Sequence, residues 1–292
     1  TTLGGIAIGE VLHRSAWLMR DTQATGRGRL MREIGATVLD PMSGYNRFMS
    51  GDATRVSEKP PDMVPSSLLG FVSAGALWRG SNTGEEFEQG KPFVELDMLY
   101  GDATRSRSRT PYDAFVLRMR LGGGGAISEA RIRGRLVGQP FRGERLQLDV
   151  LQAYDFQKNK AYEFGAQAFE VRGTVTSKPT SRIQAWFAGW GGLTALGAVD
   201  SLGVGGEAAS GSSSESEEDE ARLYDYGPGS SFGASALLAR DGRIFAAFVY
   251  QAYQLFILDG VRANHLMQQG RVDLMAPLRG SLGAGVSAEY FE

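Results

Sequence analysis

The sequence predicts an all-β protein, an antiparallel transmembrane up-and-down β-barrel of about 10–12 strands with an N-terminal helical segment. Three observations support this prediction. Many segments alternate polar and apolar residues with the period of two that is typical of a β-strand. Each segment is close in length to the ~10 residues that a tilted strand needs to cross a bilayer. Neighbouring segments also carry charges of opposite sign on one face, which suits a closed lumen in which charges pair.

The clearest alternation runs from Ser128 to Val137. One face of this predicted strand carries Glu129, Arg131, Arg133 and Arg135, and the other carries Ala130, Ile132, Gly134 and Leu136. In a soluble sandwich the charged face would meet water, whereas in a membrane barrel it lines the lumen and the apolar face meets lipid. The same pattern predicts eleven strands, at 68–79, 91–100, 112–121, 126–137, 145–155, 161–175, 181–198, 230–240, 243–254, 262–275 and 280–291.

The composition excludes several classes of protein. The 292 residues carry a net charge of −2, from 31 basic and 33 acidic residues, so no nucleic-acid-binding excess of positive charge exists. The absence of cysteine removes disulfides and zinc–thiolate sites. A mean hydropathy of −0.21 is compatible with a membrane barrel, because half of each spanning strand is polar.

The first part of the chain has helical rather than strand periodicity. Apolar residues recur at helical spacing across 9–20 and 27–39, and a third helix is predicted over 41–48, with Asp40 as its N-cap and Pro41 at its first position. The three prolines within Lys59–Pro65 predict a stiff connector. Residues 1–66 are therefore predicted to form a helical segment and Pro-rich connector. Two positions for it stay open, a cap at the barrel mouth and a plug inside the lumen.

Residues 67–292 are predicted to form the barrel itself. Asp241-Gly242 between two predicted strands indicates a tight hairpin, and Gly122–Gly125 indicates another turn. A long connection around residues 200–229 contains the acidic, serine-rich stretch Ser210–Glu220, which predicts a solvated loop. Outer-membrane barrels place their long loops outside the cell, so we expect this loop to be external.

Several short phrases resemble an uncharacterised family of Gram-negative outer-membrane β-barrel proteins. They are Gly4–Glu10 (GGIAIGE) before a helix, Tyr154–Phe156 followed by Ala161–Gly165, and Tyr224–Gly229 before a strand. The resemblance implies a β-barrel fold and a location in the bacterial outer membrane. No activity is established for that family, so the resemblance implies nothing about chemistry.

Charged side chains on the polar strand faces are the candidate functional residues. They could in principle act as acids or bind metal, and Glu95 and Asp97 are two apart on one strand face, a spacing that suits a hard cation. Inward arginines are at least as numerous, so structural ion pairing is the preferred interpretation, with no metal, cofactor or catalytic residue. The predicted lumen-lining residues are Glu95, Asp97, Arg118, Arg120, Glu129, Arg131, Arg133, Arg135, Asp149, Glu163, Arg182, His265, Arg271, Asp273 and Glu289.

The chain has only two histidines. His13 is predicted to lie on the surface of the first helix. His265 shares the parity of Arg271 and Asp273, so it is predicted to face the lumen, where a strand histidine could activate a serine in a lipid hydrolase. No serine partner follows from the spacing, and we therefore expect His265 to serve in lumen packing.

Aromatic residues in three predicted strands suggest the interfacial girdles of a membrane barrel. The set is Trp186, Trp190, Tyr250, Tyr253 and Tyr290. Packing in a soluble core would explain Trp186 equally well.

These observations favour a non-enzymatic barrel, either a pore, a carrier or a structural scaffold. Its Arg-rich lumen would be partly closed by the N-terminal helices and would favour anions. Two alternatives stay open, a membrane-embedded lipid-modifying enzyme centred on His265 and a soluble, lipocalin-like lipid binder. Expected partners are outer-membrane lipid and no nucleic acid, and other envelope proteins or a homo-oligomer stay open as further partners.

Overall fold

The computed structural model describes most of the chain and shows a large antiparallel sheet with three helices. It describes residues 2–80, 87–102, 107–108, 110–123, 125–141, 145–158, 162–178, 181–201, 224–259, 264–278 and 281–291. The predicted loop stretch Ser210–Glu220 lies outside these residues. The helices are α1 (Thr2–Met19), α2 (Gly26–Leu39) and α3 (Pro41–Ser50), followed by a single 3-10 turn at Pro61–Met63.

The eleven strands form one sheet in which every strand pairs with its neighbours in sequence. All the strands predicted from the alternation are present, with ends that shift by up to five residues. The strands are β1 (Leu68–Gly80), β2 (Phe87–Tyr100), β3 (Phe115–Gly122), β4 (Ile127–Phe141), β5 (Leu146–Lys158), β6 (Tyr162–Thr176), β7 (Ile183–Ser201), β8 (Asp225–Arg240), β9 (Arg243–Phe256), β10 (Asn264–Pro277) and β11 (Gly283–Phe291).

The sheet is curled, because charged side chains from strands far apart in the order meet on one face. Arg120 on β3 donates to Glu289 on β11 at 3.0 Å, and Arg271 on β10 donates to Glu95 on β2 at 2.7 Å. Only the concave face of a curled sheet allows such contacts, so the charged face is concave and the apolar face is convex. Among the described strands, β1 pairs only with β2 and β11 only with β10. The sheet is therefore an open half-barrel with two edge strands.

Helix α1 lies against the convex face. Its residues Ala7 and Val11 share a buried cluster with Tyr100, Phe115 and Ile132 on strands β2, β3 and β4. These three strand residues have the parity opposite to Glu95, Arg118 and the other concave charges. This position differs from both positions expected from the sequence, a cap at the mouth and a plug in the lumen. The reason is physical, because the concave face is filled by ion pairs whereas the convex face offers the apolar side chains that α1 needs to bury its own.

The cover by α1 changes the environment of several strand residues that the alternation places on the outside. Phe115 and Ile132 are buried beneath the helix, although their parity is that of the exposed Leu148 and Leu274. The helix also begins at Thr2 rather than near residue 9. Its early glycines have low helix propensity, but a Cβ at Gly4 would touch the ring of Tyr154 at 3.4 Å, so Gly4 allows a close approach to the wall.

Local signals in the sequence are confirmed at two junctions. The side chain of Asp40 accepts a hydrogen bond from the backbone of Ser43 at 3.0 Å, and Pro41 opens α3, which is the predicted N-cap arrangement. Asp241 and Gly242 join β8 to β9 with φ of 52° and 74°, as a two-residue hairpin with two left-handed positions requires. No described helix combines the length and the apolar character needed to cross a membrane.

Candidate functional site

The most densely charged part of the concave face is the Glu95 cluster, formed by Glu95, Asp97, Arg118, Arg120, Arg271, Asp273 and Glu289. Arg120 and Arg271 each donate a hydrogen bond to the Glu95 carboxylate, at 2.8 Å and 2.7 Å. Arg271 also donates to Asp273 at 2.8 Å and to Glu289 at 3.0 Å. The cluster joins β2 and β3 to β10 and β11, so ion pairs span the interior near the two edges of the sheet.

Further ion pairs in and beside this cluster bring the remaining charged side chains next to partners of opposite charge. Arg118 donates to Asp97 at 2.6 Å, within hydrogen-bond geometry. Arg120 also lies 3.3 Å from Glu129, whose carboxylate meets Arg131 at 2.7 Å. Arg131 in turn donates to Gln269 across the interior. Local sequence explains this density, since each strand carries its charges at alternate positions and the antiparallel register brings Glu95 beside Arg120 and Asp97 beside Arg118.

A second network, the Asp155 cluster, fills the interior between β4, β5, β6 and β9. It consists of Arg133, Asp155, Glu170, Gln251 and Tyr253. Arg133 lies 2.7 Å from Asp155 and 3.1 Å from Glu170. From the opposite wall, the amide of Gln251 donates to Asp155 at 2.9 Å, and the Tyr253 hydroxyl donates to the same carboxylate.

The two ends of the interior differ in chemistry. At the end nearer α1, Asp149 is 2.7 Å from Arg172, and Arg135 is 2.9 Å from Asp113 in the β2–β3 connection. At the opposite end the concave face is apolar, and the buried residues there are Ala153, Phe164, Ala166, Ala168, Val199, Tyr253 and Leu255. A cavity of about 20 Å³ between the Asp155 cluster and β10 has room for about one water molecule.

Thirteen of the fifteen residues predicted to line the lumen lie on the concave face of their strands. They are Glu95, Asp97, Arg118, Arg120, Glu129, Arg131, Arg133, Arg135, Asp149, His265, Arg271, Asp273 and Glu289. Glu163 is a correction, because its parity in β6 is opposite to that of the concave Ala166 and Glu170, and it pairs on the convex face with Lys158 at 2.7 Å. Arg182 is a second correction, since it is exposed in the turn before β7 and lies in no strand.

The sequence analysis missed several residues that complete the interior. Asp155, Glu170 and Arg172 all carry ion pairs there, and Gln251 and Tyr253 reach them from the far wall. The signal was present in part, because Asp155 shares the parity of Asp149 within one strand, and Glu170 and Arg172 alternate with apolar residues in the next. The contribution of Gln251 and Tyr253 had no local signal, since it depends on how strongly the sheet curls.

The aromatic residues do not form one girdle. Trp186 and Trp190 pair with Thr176 and Arg172 in the register of β6 and β7, so both side chains are on the concave side. Tyr253 is buried there as well. The girdle interpretation is therefore wrong for these three, and only Tyr250 and Tyr290 have convex parity.

Each histidine has a ring nitrogen within hydrogen-bonding distance of an aspartate carboxylate. His265 on the concave face has Nε2 3.0 Å from a carboxylate oxygen of Asp225, near the apolar end of the interior. His13 is only partly exposed, and its Nδ1 is 2.6 Å from a carboxylate oxygen of Asp40. The His13–Asp40 pair borders an open pocket of about 520 Å³ on the surface of α3. Burial raises the pKa of the Asp40 carboxyl, but the hydrogen bonds from His13 and Ser43 outweigh burial and leave this pKa below its ordinary value.

The helices enclose a polar core of their own. Arg20 is fully buried, its Nε lies 3.4 Å from Glu33, and burial lowers the pKa of its guanidinium. Arg47 binds the same Glu33 carboxylate at 2.7 Å, and both guanidiniums lie over the indole ring of Trp17. Arg29 donates to the backbone oxygens of Ala53 at 2.8 Å and of Thr22 at 3.0 Å. Polar side chains thus hold the three helices together from inside.

Neither a metal centre nor a known relative identifies the site. The described residues contain no group of three or more histidine, aspartate or glutamate side chains arranged to hold a metal ion. Comparison with protein-family models, curated proteins and solved structures finds no match to this chain. The functional argument therefore depends on the geometry of the sheet alone.

Proposed function

We propose that the chain forms the wall of a bacterial outer-membrane β-barrel with a non-enzymatic, structural role and a closed interior. The observation that carries this proposal is the set of ion pairs and hydrogen bonds that cross the concave space from one side of the sheet to the other. Arg120–Glu289, Arg271–Glu95 and Gln251–Asp155 each join strands that are not neighbours. Such contacts occupy the path that ions or solutes would take through a pore.

The convex face supports a membrane location for this wall. Its exposed apolar side chains would form an extensive apolar surface in water, which is unusual for a soluble monomer and typical of a lipid-facing belt. They come from seven consecutive strands, and include Val137, Leu148, Val171, Phe187, Leu193, Phe232, Phe248 and Leu274. The described concave face is filled by ion pairs and, towards one end, by packed apolar side chains beside a cavity of only about 20 Å³, which does not favour a lipocalin-like lipid binder.

The pairing also changes the expected charge selectivity. Each of the seven arginines whose side chains the structure describes on the concave strand faces lies within 4.0 Å of at least one carboxylate. Paired guanidiniums leave little uncompensated positive field, so the anion preference expected from an Arg-rich lumen is not part of this proposal. Among the three non-enzymatic roles, a scaffold fits these contacts better than a pore or a carrier.

Conductance measurements test the closed interior. We expect the full chain, inserted in planar lipid bilayers, to show no stable unitary conductance steps. The double variant Arg120→Ala with Arg271→Ala removes both guanidiniums that cross the Glu95 cluster, and it should conduct if it stays folded. Arg240→Ala changes an exposed arginine and serves as the matched control. Stable conductance steps from the unmodified protein would overturn the scaffold proposal in favour of a pore.

A lipid-modifying enzyme is the second candidate, and the His265–Asp225 pair at 3.0 Å favours it. In a hydrolase, such an aspartate orients the histidine that activates a nucleophile. Within the described part of the chain, no hydroxyl group hydrogen-bonds to His265. Lipid turnover by the full chain that disappears in His265→Ala would replace the scaffold proposal with this one.

A further inference from the structure

We propose that helices α1, α2 and α3 are embedded in one leaflet of the bilayer beside the barrel wall, with lipid covering their outward apolar surface. The helical apolar surface is defined as Ile6 on α1, Met31, Ile34 and Val38 on α2, and Met42, Tyr45 and Met49 on α3. The proposal rests on the membrane location proposed above. It adds a second lipid contact, made by helices instead of strands.

The first argument is that α2 buries two charged side chains and exposes large apolar ones. Arg29 and Glu33 are buried within the helical segment, whereas Met31 and Val38 are 69% and 75% exposed. An amphipathic helix of a water-soluble protein shows the opposite arrangement. Outward apolar side chains with buried ionic groups are what a lipid environment favours.

Helix α3 continues the same surface. Met42 and Met49 are 72% and 71% exposed, and Tyr45 between them is exposed as well. Residues 42, 45 and 49 follow the i, i+3, i+7 spacing of one helix stripe, as do residues 31, 34 and 38 on α2. Arg32 on α2 is exposed, and Arg27, one turn before Met31 on the same stripe, is exposed as well. Basic side chains at such places are typical of interfacial helices, where they meet lipid headgroups.

The orientation of α1 supplies an independent argument. Its first part, Thr2–Gly9, has no charged side chain, and the charged residues Glu10 and Arg14 come later. Gly4 approaches Tyr154 and Gln167, which lie at least four residues inside both ends of β5 and β6. The uncharged end of α1 therefore lies against the middle of the wall.

The charged end of α1 lies at the rim of the sheet. There the Arg14 guanidinium donates to the backbone oxygen of Pro111, in the connection between β2 and β3, at 3.0 Å. The gradient from charged rim to uncharged mid-wall matches the gradient from headgroups to hydrocarbon. The helix backbone satisfies its own hydrogen bonds along most of its length, which makes a lipid environment tolerable.

Lipid is the occupant that these observations favour over a protein partner. The helical apolar surface lies on the same side of the sheet as the convex apolar face, because α1 is packed directly on that face and α2 is packed on α1. One bilayer would cover both surfaces. A second copy of the chain or another envelope protein would cover only part of these two surfaces.

Quenching by spin-labelled lipid tests the proposal, and the absence of cysteine makes single-cysteine labelling clean. The full chain in phosphatidylglycerol–phosphatidylethanolamine vesicles would carry an environment-sensitive fluorophore at Val38 or Met42. Leu274 and Val286 serve as convex strand sites, and the exposed turn residue Asp241 serves as the aqueous control. We expect doxyl-labelled lipid to quench the helix sites at least twofold more strongly than Asp241.

The strand sites separate a failure of this inference from a failure of the proposed function. Quenching at Leu274 and Val286 but not at the helix sites would overturn the lipid-embedded helices and leave the membrane barrel intact. Quenching at neither set would overturn both. Helix sites that resist aqueous maleimide and also escape lipid quenching would show a protein partner on this surface, which likewise overturns the inference.

Discussion

Replacing Arg271 by methionine should strongly destabilise the protein. The guanidinium is nearly buried and contacts three carboxylates, those of Glu95 at 2.7 Å, Asp273 at 2.8 Å and Glu289 at 3.0 Å. Methionine keeps much of the side-chain volume but removes the charge, so carboxylates are left in a space shielded from water. Removing one partner of a buried ion pair costs about 3–5 kcal/mol, which corresponds to a factor of roughly 10²–10⁴ in the folding equilibrium constant.

Urea unfolding in detergent micelles, followed by tryptophan fluorescence, measures this loss. The matched control is Arg240→Met, which removes an exposed arginine whose nearest carboxylate, Asp241, is 3.6 Å away, and it should change the free energy of unfolding by less than about 0.5 kcal/mol. Adding Glu95→Gln to Arg271→Met should recover part of the loss, because one of the uncompensated charges is then removed. Equal unfolding midpoints for Arg271→Met and Arg240→Met would refute the reasoning, since the interior would then have to be hydrated and open.

Two further predictions concern the helices and the convex face. Asp40→Asn should cost about 1 kcal/mol near neutral pH, because His13 loses a charged acceptor. The pKa of Asp40 is lowered in the folded protein, so the stabilisation by its carboxylate is fully present above about pH 4 and is lost as the pH falls through the folded pKa. Urea unfolding curves should therefore show a difference in stability between Asp40→Asn and the unmodified protein near neutral pH, and this difference should disappear in acid. Gly134→Ala should cost about 1–3 kcal/mol in the same urea assay, because a Cβ at Gly134 would overlap the ring of Tyr112. Gly270→Ala has open space and should be close to neutral, and equal effects of the two substitutions would contradict the packing of Tyr112 on the wall.

The strands and their charged faces could be predicted from local sequence, because a period of two fixes the side of the strand on which each residue lies. Once Arg131, Arg133 and Arg135 share a face, the pleat fixes that face for this part of β4, up to the bulge after Arg135 that shifts the register and places Val137 on the convex side. Glu163 was assigned wrongly because its parity within β6 is opposite to that of Glu170 and Arg172, and the unbroken register of β5 and β6 keeps it on the convex side. The prediction for Arg182 was wrong because this residue precedes the first residue of β7, so strand alternation does not apply to it.

Contacts between distant strands had no signal in the sequence. Alternation shows that Glu95 and Arg271 face the same side, but their pairing depends on the curvature of the whole sheet. The position of α1 was equally hidden, because a strand pattern does not distinguish an apolar face covered by lipid from one covered by a helix. Phe115 and Ile132 carry the same alternation as Leu274, yet only the first two are buried.

The sequence separation within the Glu95 cluster leads us to expect a particular order of events in folding. Its partners are far apart along the chain, because Arg120 and Glu289 are separated by 169 positions and Glu95 and Arg271 by 176. Neighbouring hairpins can form early because they close short loops, whereas these ion pairs can form only when the first and last strands come together. These ion pairs therefore stabilise the folded protein without stabilising the early stages of folding. We expect substitutions in this cluster to accelerate unfolding and to leave the refolding rate nearly unchanged. The contacts that form last would then control the lifetime of the folded protein.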